Sequence, residues 1–114
     1  MLGSPPLRGV TAYYGSPVER FLSSDSATVL GILVAADGGN AIDATQRQAW
    51  QEEIEILRGA LAGLTGTVYL EFAVPRLGSR IDAVVVAGPA VFPIEFKCGE
   101  KRFTTDAYNQ AWDY

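Results

Sequence analysis

Apolar side chains recur at helical spacing in residues 43–62, the clearest helical segment of the chain. Trp50, Ile54 and Leu57 fall on one stripe when successive residues are placed about 100° apart. Glu53 lies at the edge of this stripe, so it is the acid of the segment that we expect to face inward. The pattern therefore predicts a long helix that packs one face on a core.

Residues 1–42 are predicted to form an extended arm followed by two shorter helices. The Gly-, Pro- and Ser-rich residues 1–15 are expected to form the arm. Ser16 followed by a proline is typical of a helix start, which predicts a short helix over residues 18–22. The run ATVLGILVAA predicts the second helix, and because this run is apolar nearly all round, we expect that helix to be buried.

The second half of the chain predicts three strands and a closing helix. TVYLEFAV at residues 67–74 alternates as a strand does, and two more strands are predicted over residues 80–87 and 90–97. Gly88-Pro89 would join these two strands as a hairpin turn. TTDAYNQAWDY at residues 104–114 predicts a helix that is still running where the sequence stops.

Two carboxylates and a lysine are expected on one face of the predicted hairpin. A turn at residues 88–89 sets Asp82 across from Glu95, with β-carbons about 5 Å apart. Lys97 shares the face of Glu95 because side chains alternate along a strand. A bulge at Pro93 would break this register.

Carboxylates that face each other in apolar strands need compensation. Like charges across a sheet destabilise it, and burial disfavours the ionised form. A divalent cation would turn the repulsion between Asp82 and Glu95 into ligation. The alternative is a solvated strand edge with a Glu95–Lys97 ion pair, which the apolar flanking runs disfavour.

The chain contains no histidine, which narrows the chemistry that it could perform. Ser-His-Asp and Cys-His catalysis and zinc sites with histidine ligands are excluded. Carboxylates, lysine, tyrosine and the single Cys98 remain. Ligation by oxygen favours Mg²⁺ or Mn²⁺ over zinc.

Composition is typical of one ordinary globular domain with an acidic balance. The 114 residues are 48% hydrophobic and 19% charged, and the net charge is −4. No apolar run is long enough to cross a bilayer, the first ten residues are not expected to act as a secretion signal, and one cysteine suits a reducing compartment. We therefore expect a cytoplasmic protein without a membrane partner. Nucleic-acid binders usually have a basic surface, so either the partner is not a nucleic acid, or another domain or bound metal ions supply the positive charge.

The motif RID-x₁₂-EFK, formed by residues 80–82 and 95–97, resembles the PD-(D/E)xK nuclease superfamily. The predicted order of a helix, three strands and a second helix is similar to that superfamily. Gln110 and Tyr114 have the Gln-x-x-x-Tyr spacing of its RecB-like branch. Residues 43–114 also resemble the N-terminal nuclease-like region of bacterial proteins that carry a Schlafen-type DNA/RNA helicase domain further along.

The resemblance implies an α/β (α+β) fold with a restriction-endonuclease-like core. Residues 43–114 would form this core, and residues 1–42 would form an N-terminal arm and helices. The superfamily has a fourth core strand after its second helix, and the sequence contains no segment for it. We therefore expect a three-stranded meander in a piece of a longer protein, with a helicase domain downstream as a partner.

The resemblance and the chemistry together imply a metal-dependent endo- or exodeoxyribonuclease. Asp82 and Glu95 would bind Mg²⁺ or Mn²⁺, helped by the Phe96 carbonyl and by Glu53. Lys97 would orient the attacking water and stabilise charge on the phosphate. Four more residues would position the site or contact the substrate, with a plain surface role as the alternative for the two arginines: Gln110, Tyr114, Arg76 and Arg80.

Three functions remain open from the sequence. The leading hypothesis is a Mg²⁺-dependent nuclease that acts on DNA, or on RNA, in a helicase-linked repair or phage-defence protein. The alternative is a catalytically silent nuclease-like module that binds nucleic acid or a partner domain. A third is an oligomerisation domain, because an open sheet edge would allow a homodimer. Glu71 lies mid-strand near the site, on a face that the sequence leaves open.

Overall fold

The computed structural model describes residues 11–38 and 44–96, and within these ranges the chain has an α+β fold. Three helices accompany one antiparallel sheet of four strands in the order β1-β2-β3-β4. The helices are α1 (Val18–Ser23), α2 (Ser26–Ala36) and α3 (Ala44–Ala60). The strands are β1 (Ala12–Pro17), β2 (Thr67–Ala73), β3 (Arg80–Ala87) and β4 (Ala90–Ile94).

The strand β1 is the main departure from the predicted meander. It pairs antiparallel with β2, with Tyr14 across from Leu70. The described sheet therefore has four strands rather than the predicted three, and residues 12–15 of the predicted arm belong to β1. The strand that the superfamily has after its second helix would lie outside the described residues. Burial of the Tyr14 ring in the core accounts for the pairing, since this side chain is only 7% exposed. The added strand precedes the meander along the chain.

The helix α1 begins at Val18 as expected and ends one residue later, at Ser23, but its predicted cap is wrong. Ser16 lies inside β1, where its hydroxyl shares a hydrogen bond of 2.9 Å with the hydroxyl of Tyr14. Pro17 occupies the N-cap position without a side-chain hydrogen bond. The backbone N–H of Val18 instead donates to the Gly66 carbonyl at 2.8 Å, which ties the start of α1 to the start of β2.

The helix α2 forms where the apolar run predicted it, but it is less buried than expected. Asp25 caps it by accepting the backbone N–H of Thr28 at 2.9 Å. Val29 and Leu33 face the core, whereas Ile32 is 42% exposed. The helix packs on α3 and β1, and because these cover one side of it, a run that is apolar all round leaves apolar surface exposed.

The helix α3 confirms the predicted amphipathic stripe. Trp50, Ile54 and Leu57 are all buried, and Leu61 continues their line just beyond the helix. Gly63 follows with a φ of 83°, which suits a helix end because glycine adopts left-handed backbone readily. The core between α3, α2, α1 and one face of the sheet therefore rests on the residues that the pattern selected.

The meander confirms two predicted strands and shortens the third. β2 and β3 match the expected ranges to within one residue, but β4 ends at Ile94 rather than at residue 97. Gly88 has a φ of 60°, which allows the two-residue turn between β3 and β4. The helix predicted over residues 104–114 lies outside the described residues. No helix in the described ranges is long and apolar enough to cross a membrane.

Candidate functional site

The hairpin of β3 and β4 has the register that the turn predicts. Ala83 lies across from Ile94, so the next row sets Asp82 beside Glu95. Pro93 keeps its place in the ladder, and the bulge considered for it does not form. The two acids that the sequence placed opposite each other therefore meet at the end of the hairpin.

In this row, hydrogen bonds between carboxylates and backbone N–H groups take the place of the backbone–backbone hydrogen bonds of the ladder. The backbone N–H of Phe96 donates to Oδ2 of Asp82 at 2.8 Å. Burial raises the pKa of Glu95, and a hydrogen bond from the backbone N–H of Asp82 opposes this rise by favouring the ionised form. Each carboxylate thus binds backbone of the neighbouring segment, which explains why β4 ends before Glu95.

Glu71 of β2 belongs to the same row. β2 pairs with β3 with Leu70 across from Ala83, and the next position sets Glu71 across from Asp82. Tyr13 of β1 extends the row, because the pairing of β1 with β2 keeps one register on both sides of it. A single line across four strands therefore carries polar groups, and we call it the acidic row: Tyr13, Glu71, Asp82 and Glu95.

Strand alternation breaks in the acidic row. Tyr69 and Phe72 are three residues apart, yet their ring centroids lie 5.9 Å apart on one face of the sheet. Strict alternation would put them on opposite faces. Glu71 lies between them with a φ of 55°, and this left-handed backbone turns the strand over. Its side chain then faces the helices, where Oε2 accepts the indole N–H of Trp50 at 3.3 Å.

The strand β1 shows the same break. Tyr13 and Tyr14 are adjacent, but both pack against the core on the helical side of the sheet. Tyr13 meets the ring of Trp50 edge to face, with centroids 6.3 Å apart, and Tyr14 meets Phe21 at 6.0 Å. The break brings the row to the face where α3 lies.

Glu53 of α3 completes the group of acids, as its place on the helix predicts. Burial raises its pKa first, and the charges of Asp82, Glu71 and Glu95 raise it further, to about 8. Without a cation, Glu53 therefore keeps its proton at neutral pH.

Burial is also the first cause that raises the pKa of the other three acids. The hydrogen bond from Trp50 opposes the rise for Glu71, and that from Phe96 opposes it for Asp82. The charge of Asp82 adds to the rise for Glu95. Oε2 of Glu95 is buried and has no hydrogen-bond partner among the described residues. The four acids therefore need a positively charged partner to be ionised together.

Two arginines named from the sequence have different surroundings. Arg80 lies with its guanidinium carbon 4.5 Å from the centroid of the Tyr13 ring, and its charge opposes the rise that burial causes in the pKa of Glu71. Arg76 occupies the exposed turn after β2, with a φ of 72°. Arg80 is therefore at the acidic row, while no contact with another described residue ties Arg76 to it. Three further candidates lie outside the described residues: Lys97, Gln110 and Tyr114.

The donor atoms suit a hard cation, although the acids do not close around one point. Carboxylate and carbonyl oxygens are the ligands that Mg²⁺ and Mn²⁺ prefer. The unpartnered Oε2 of Glu95 is an acceptor for such an ion. Within residues 11–38 and 44–96, however, no three acidic or cysteine side chains converge tightly enough to hold a metal. The expected ligands Glu53, Asp82 and Glu95 lie near one another, but they do not form a complete metal site in this conformation.

Sequence reasoning missed the roles of Tyr13 and Trp50 and could not settle Glu71. An acid in the middle of the apolar run TVYLEFAV was the available signal for Glu71. Tyr13 carried no comparable signal because its strand was not predicted.

Comparison with known proteins gives no relative for this chain. No protein-family model matches it, and no curated protein or solved structure shows a significant match. The resemblance to PD-(D/E)xK nucleases therefore stays a prediction that rests on the motifs.

Proposed function

We propose that this chain is a metal-dependent nuclease domain that hydrolyses phosphodiester bonds of DNA. One observation carries the proposal: Glu53, Asp82 and Glu95 come from separate elements into one partly buried neighbourhood, and each has a raised pKa. Buried charges of one sign need a compensating partner. Oxygen donors select a divalent cation such as Mg²⁺ or Mn²⁺ for that purpose.

Four groups would hold the ion, and they would have to move closer together to do so, because the described acids do not converge on one point: Asp82, Glu95, Glu53 and the carbonyl of Phe96. When bound, Mg²⁺ or Mn²⁺ supplies an acidified water and neutralises charge on the scissile phosphate. Oδ2 of Asp82 already accepts the Phe96 N–H, so Oδ1 is the oxygen that remains for a ligand. Glu53 holds a proton at neutral pH and must release it before it can act as a ligand.

Lys97 would orient the attacking water and stabilise the charge that develops on the phosphoryl oxygens. Gln110 and Tyr114 would position the site, and Arg76 and Arg80 would contact the substrate. The wider context belongs to the same proposal: a cytoplasmic, helicase-linked repair or defence protein that acts on DNA or RNA. A homodimer through a sheet edge would use β1 or β4, because these are the two outer strands of the described sheet.

Cleavage of labelled single-stranded and duplex DNA tests the proposal, with Mg²⁺, Mn²⁺ or EDTA in parallel reactions. Asp82→Asn and Lys97→Ala should each reduce the rate at least about a hundredfold while the protein stays folded, as cooperative urea unfolding would show. Glu19→Gln is the matched control, because Glu19 is an exposed acid on α1. Cleavage by Lys97→Ala at the wild-type rate would rule the mechanism out.

A catalytically silent module is the second candidate. It is favoured by the absence, within the described ranges, of three acids that converge on one point. Calorimetric titration with Mn²⁺ separates the two candidates. Binding that Asp82→Asn abolishes supports the nuclease, and no binding at millimolar Mn²⁺ supports the silent module.

A further inference from the structure

Arg80 forms a pair with Tyr13 at the end of the acidic row, and the proposed function assigns no role to Tyr13. The guanidinium of Arg80 lies over the Tyr13 ring, 4.5 Å from its centroid. Arg80 is exposed, and among the described residues no hydrogen bond or ion pair engages its guanidinium. Its N–H groups are therefore available to a ligand.

The ring of Tyr13 is fixed from two sides. Its hydroxyl donates to Oδ1 of Asp37, just after α2, at 2.9 Å. Its edge meets the buried ring of Trp50 at an interplanar angle of 76°. Arg80 thus stacks on a surface whose orientation the core sets, which reduces the entropy lost when the guanidinium binds something.

An arginine that served only to neutralise the row would be expected to pair with an acid in it. Glu71 is the acid on which the charge of Arg80 acts, but its Oε2 accepts the Trp50 N–H instead. No ion pair joins Arg80 to Glu71 in the described part of the chain. Stacking on Tyr13 keeps the guanidinium beside the acidic row and leaves its N–H groups free of hydrogen bonds to the described residues.

We infer that Tyr13 presents the guanidinium of Arg80 to a phosphate of a nucleic-acid strand, next to the phosphate that is cut. The inference rests on the proposed function for the position of the cut phosphate. A guanidinium matches two phosphate oxygens with parallel hydrogen bonds, and stacking through its face leaves its edge open for them. Arg80 precedes Asp82 by two residues on β3, so this anchor lies at the site itself. Arg80 is the anchor, and Tyr13 is a positioning residue that acts through it.

Binding of a fluorescent single-stranded oligodeoxynucleotide tests the inference by anisotropy, with Ca²⁺ or EDTA so that binding is measured apart from cleavage. Arg80→Ala should weaken binding about tenfold and reduce the slope of log affinity against log salt by about 1. Arg80→Lys should keep the slope but still bind more weakly, since an ammonium lacks the planar fork. Tyr13→Leu should weaken binding with Arg80 intact, whereas Tyr13→Phe keeps the ring and should bind nearly as the wild type does.

Arg20→Ala is the control of equal charge, because Arg20 is an exposed residue of α1 that lies outside the acidic row. Equal binding by Arg80→Ala, Arg20→Ala and the wild type would overturn the inference. So would a wild-type protein that does not bind the strand, or a folded Tyr13→Leu protein that binds as tightly as the wild type. Arg80-dependent binding without any cleavage would leave the anchor standing and remove the nuclease proposal. Cleavage with Arg80-independent binding would do the reverse.

Discussion

The indole N–H of Trp50 donates to Oε2 of Glu71, 3.3 Å away, and so joins α3 to a strand residue with left-handed backbone. A non-glycine residue in this conformation is strained, and such strain persists where the surroundings hold it. The contact explains what holds Glu71: its side chain reaches the helical side of the sheet only because the strand turns over at this point. The strained backbone at Glu71 is thus what places its carboxylate on the helical side of the sheet.

Glycine should relieve this strain. We expect Glu71→Gly to have a free energy of unfolding about 1 kcal/mol higher than Glu71→Ala, because only glycine adopts a φ of 55° without a steric penalty. Ala73→Gly, in the regular end of the same strand, should instead lose about 0.5–1 kcal/mol. Urea unfolding of the three variants measures both signs. A Glu71→Gly protein less stable than Glu71→Ala would contradict the strained backbone.

Glu53 should make stability depend on pH. Its pKa rises from an ordinary 4.5 to about 8 on folding, so between these values the folded protein holds a proton that the unfolded chain has lost. Stability must therefore fall as pH rises through this window. In EDTA, Glu53→Gln should match the wild type near pH 4 and be more stable on the order of 2 kcal/mol near pH 9.

Urea unfolding across this pH range gives the comparison, with Glu19→Gln on α1 as the exposed control. The control should shift the curve little at either end. Equal stability of Glu53→Gln and the wild type near pH 9 would show that burial and the neighbouring acids do not raise the pKa of Glu53.

A divalent cation should stabilise the folded chain. A ligand that binds only the folded state raises stability by about 2.7 kcal/mol at a hundredfold excess over its dissociation constant. Mn²⁺ is therefore expected to raise the thermal midpoint of the wild type, and EDTA should reverse the rise. Asp82→Asn should lose most of this shift, although its side-chain oxygen can still accept the Phe96 N–H. The same Mn²⁺ shift in Asp82→Asn and the wild type would count against Asp82 as a ligand.

Two glycines should respond to alanine in opposite directions. A Cβ on Gly66 would lie 2.2 Å from the carbonyl oxygen of Val86 and 3.2 Å from Cα of Ala87. Gly66→Ala should therefore cost about 2 kcal/mol or more, since backbone must move. Gly59 is exposed on α3 with nothing within 4 Å, so Gly59→Ala should gain about 0.5–1 kcal/mol. Thermal unfolding of the pair tests the close approach of the start of β2 to the end of β3.

The parts of the site that sequence could predict are those fixed by counting along one segment. The stripe on α3 follows from a period of 3.6 residues, and it placed Glu53 inward. The pairing of Asp82 with Glu95 follows from a two-residue turn, because an antiparallel hairpin fixes its own register. Both predictions use only near neighbours in the chain.

The parts that sequence missed depend on distant partners. β1 is a strand because β2 lies beside it. In the sequence, 55 residues lie between Tyr14 and its partner Leu70, and they include α1, α2 and α3. The face of Glu71 depends on a left-handed backbone that no local pattern favours for glutamate. The exposure of Ile32 depends on how much of α2 its neighbours cover. Tertiary packing decides each of these.

The two-residue turn at Gly88 has a consequence for how such a chain can vary. One residue inserted between Asp82 and Glu95 would slide the hairpin and send one carboxylate to the other side of the sheet. One residue added to each strand would keep them together. The number of residues between the two acids should thus change only in even steps wherever both carboxylates have to stay on one face of the hairpin.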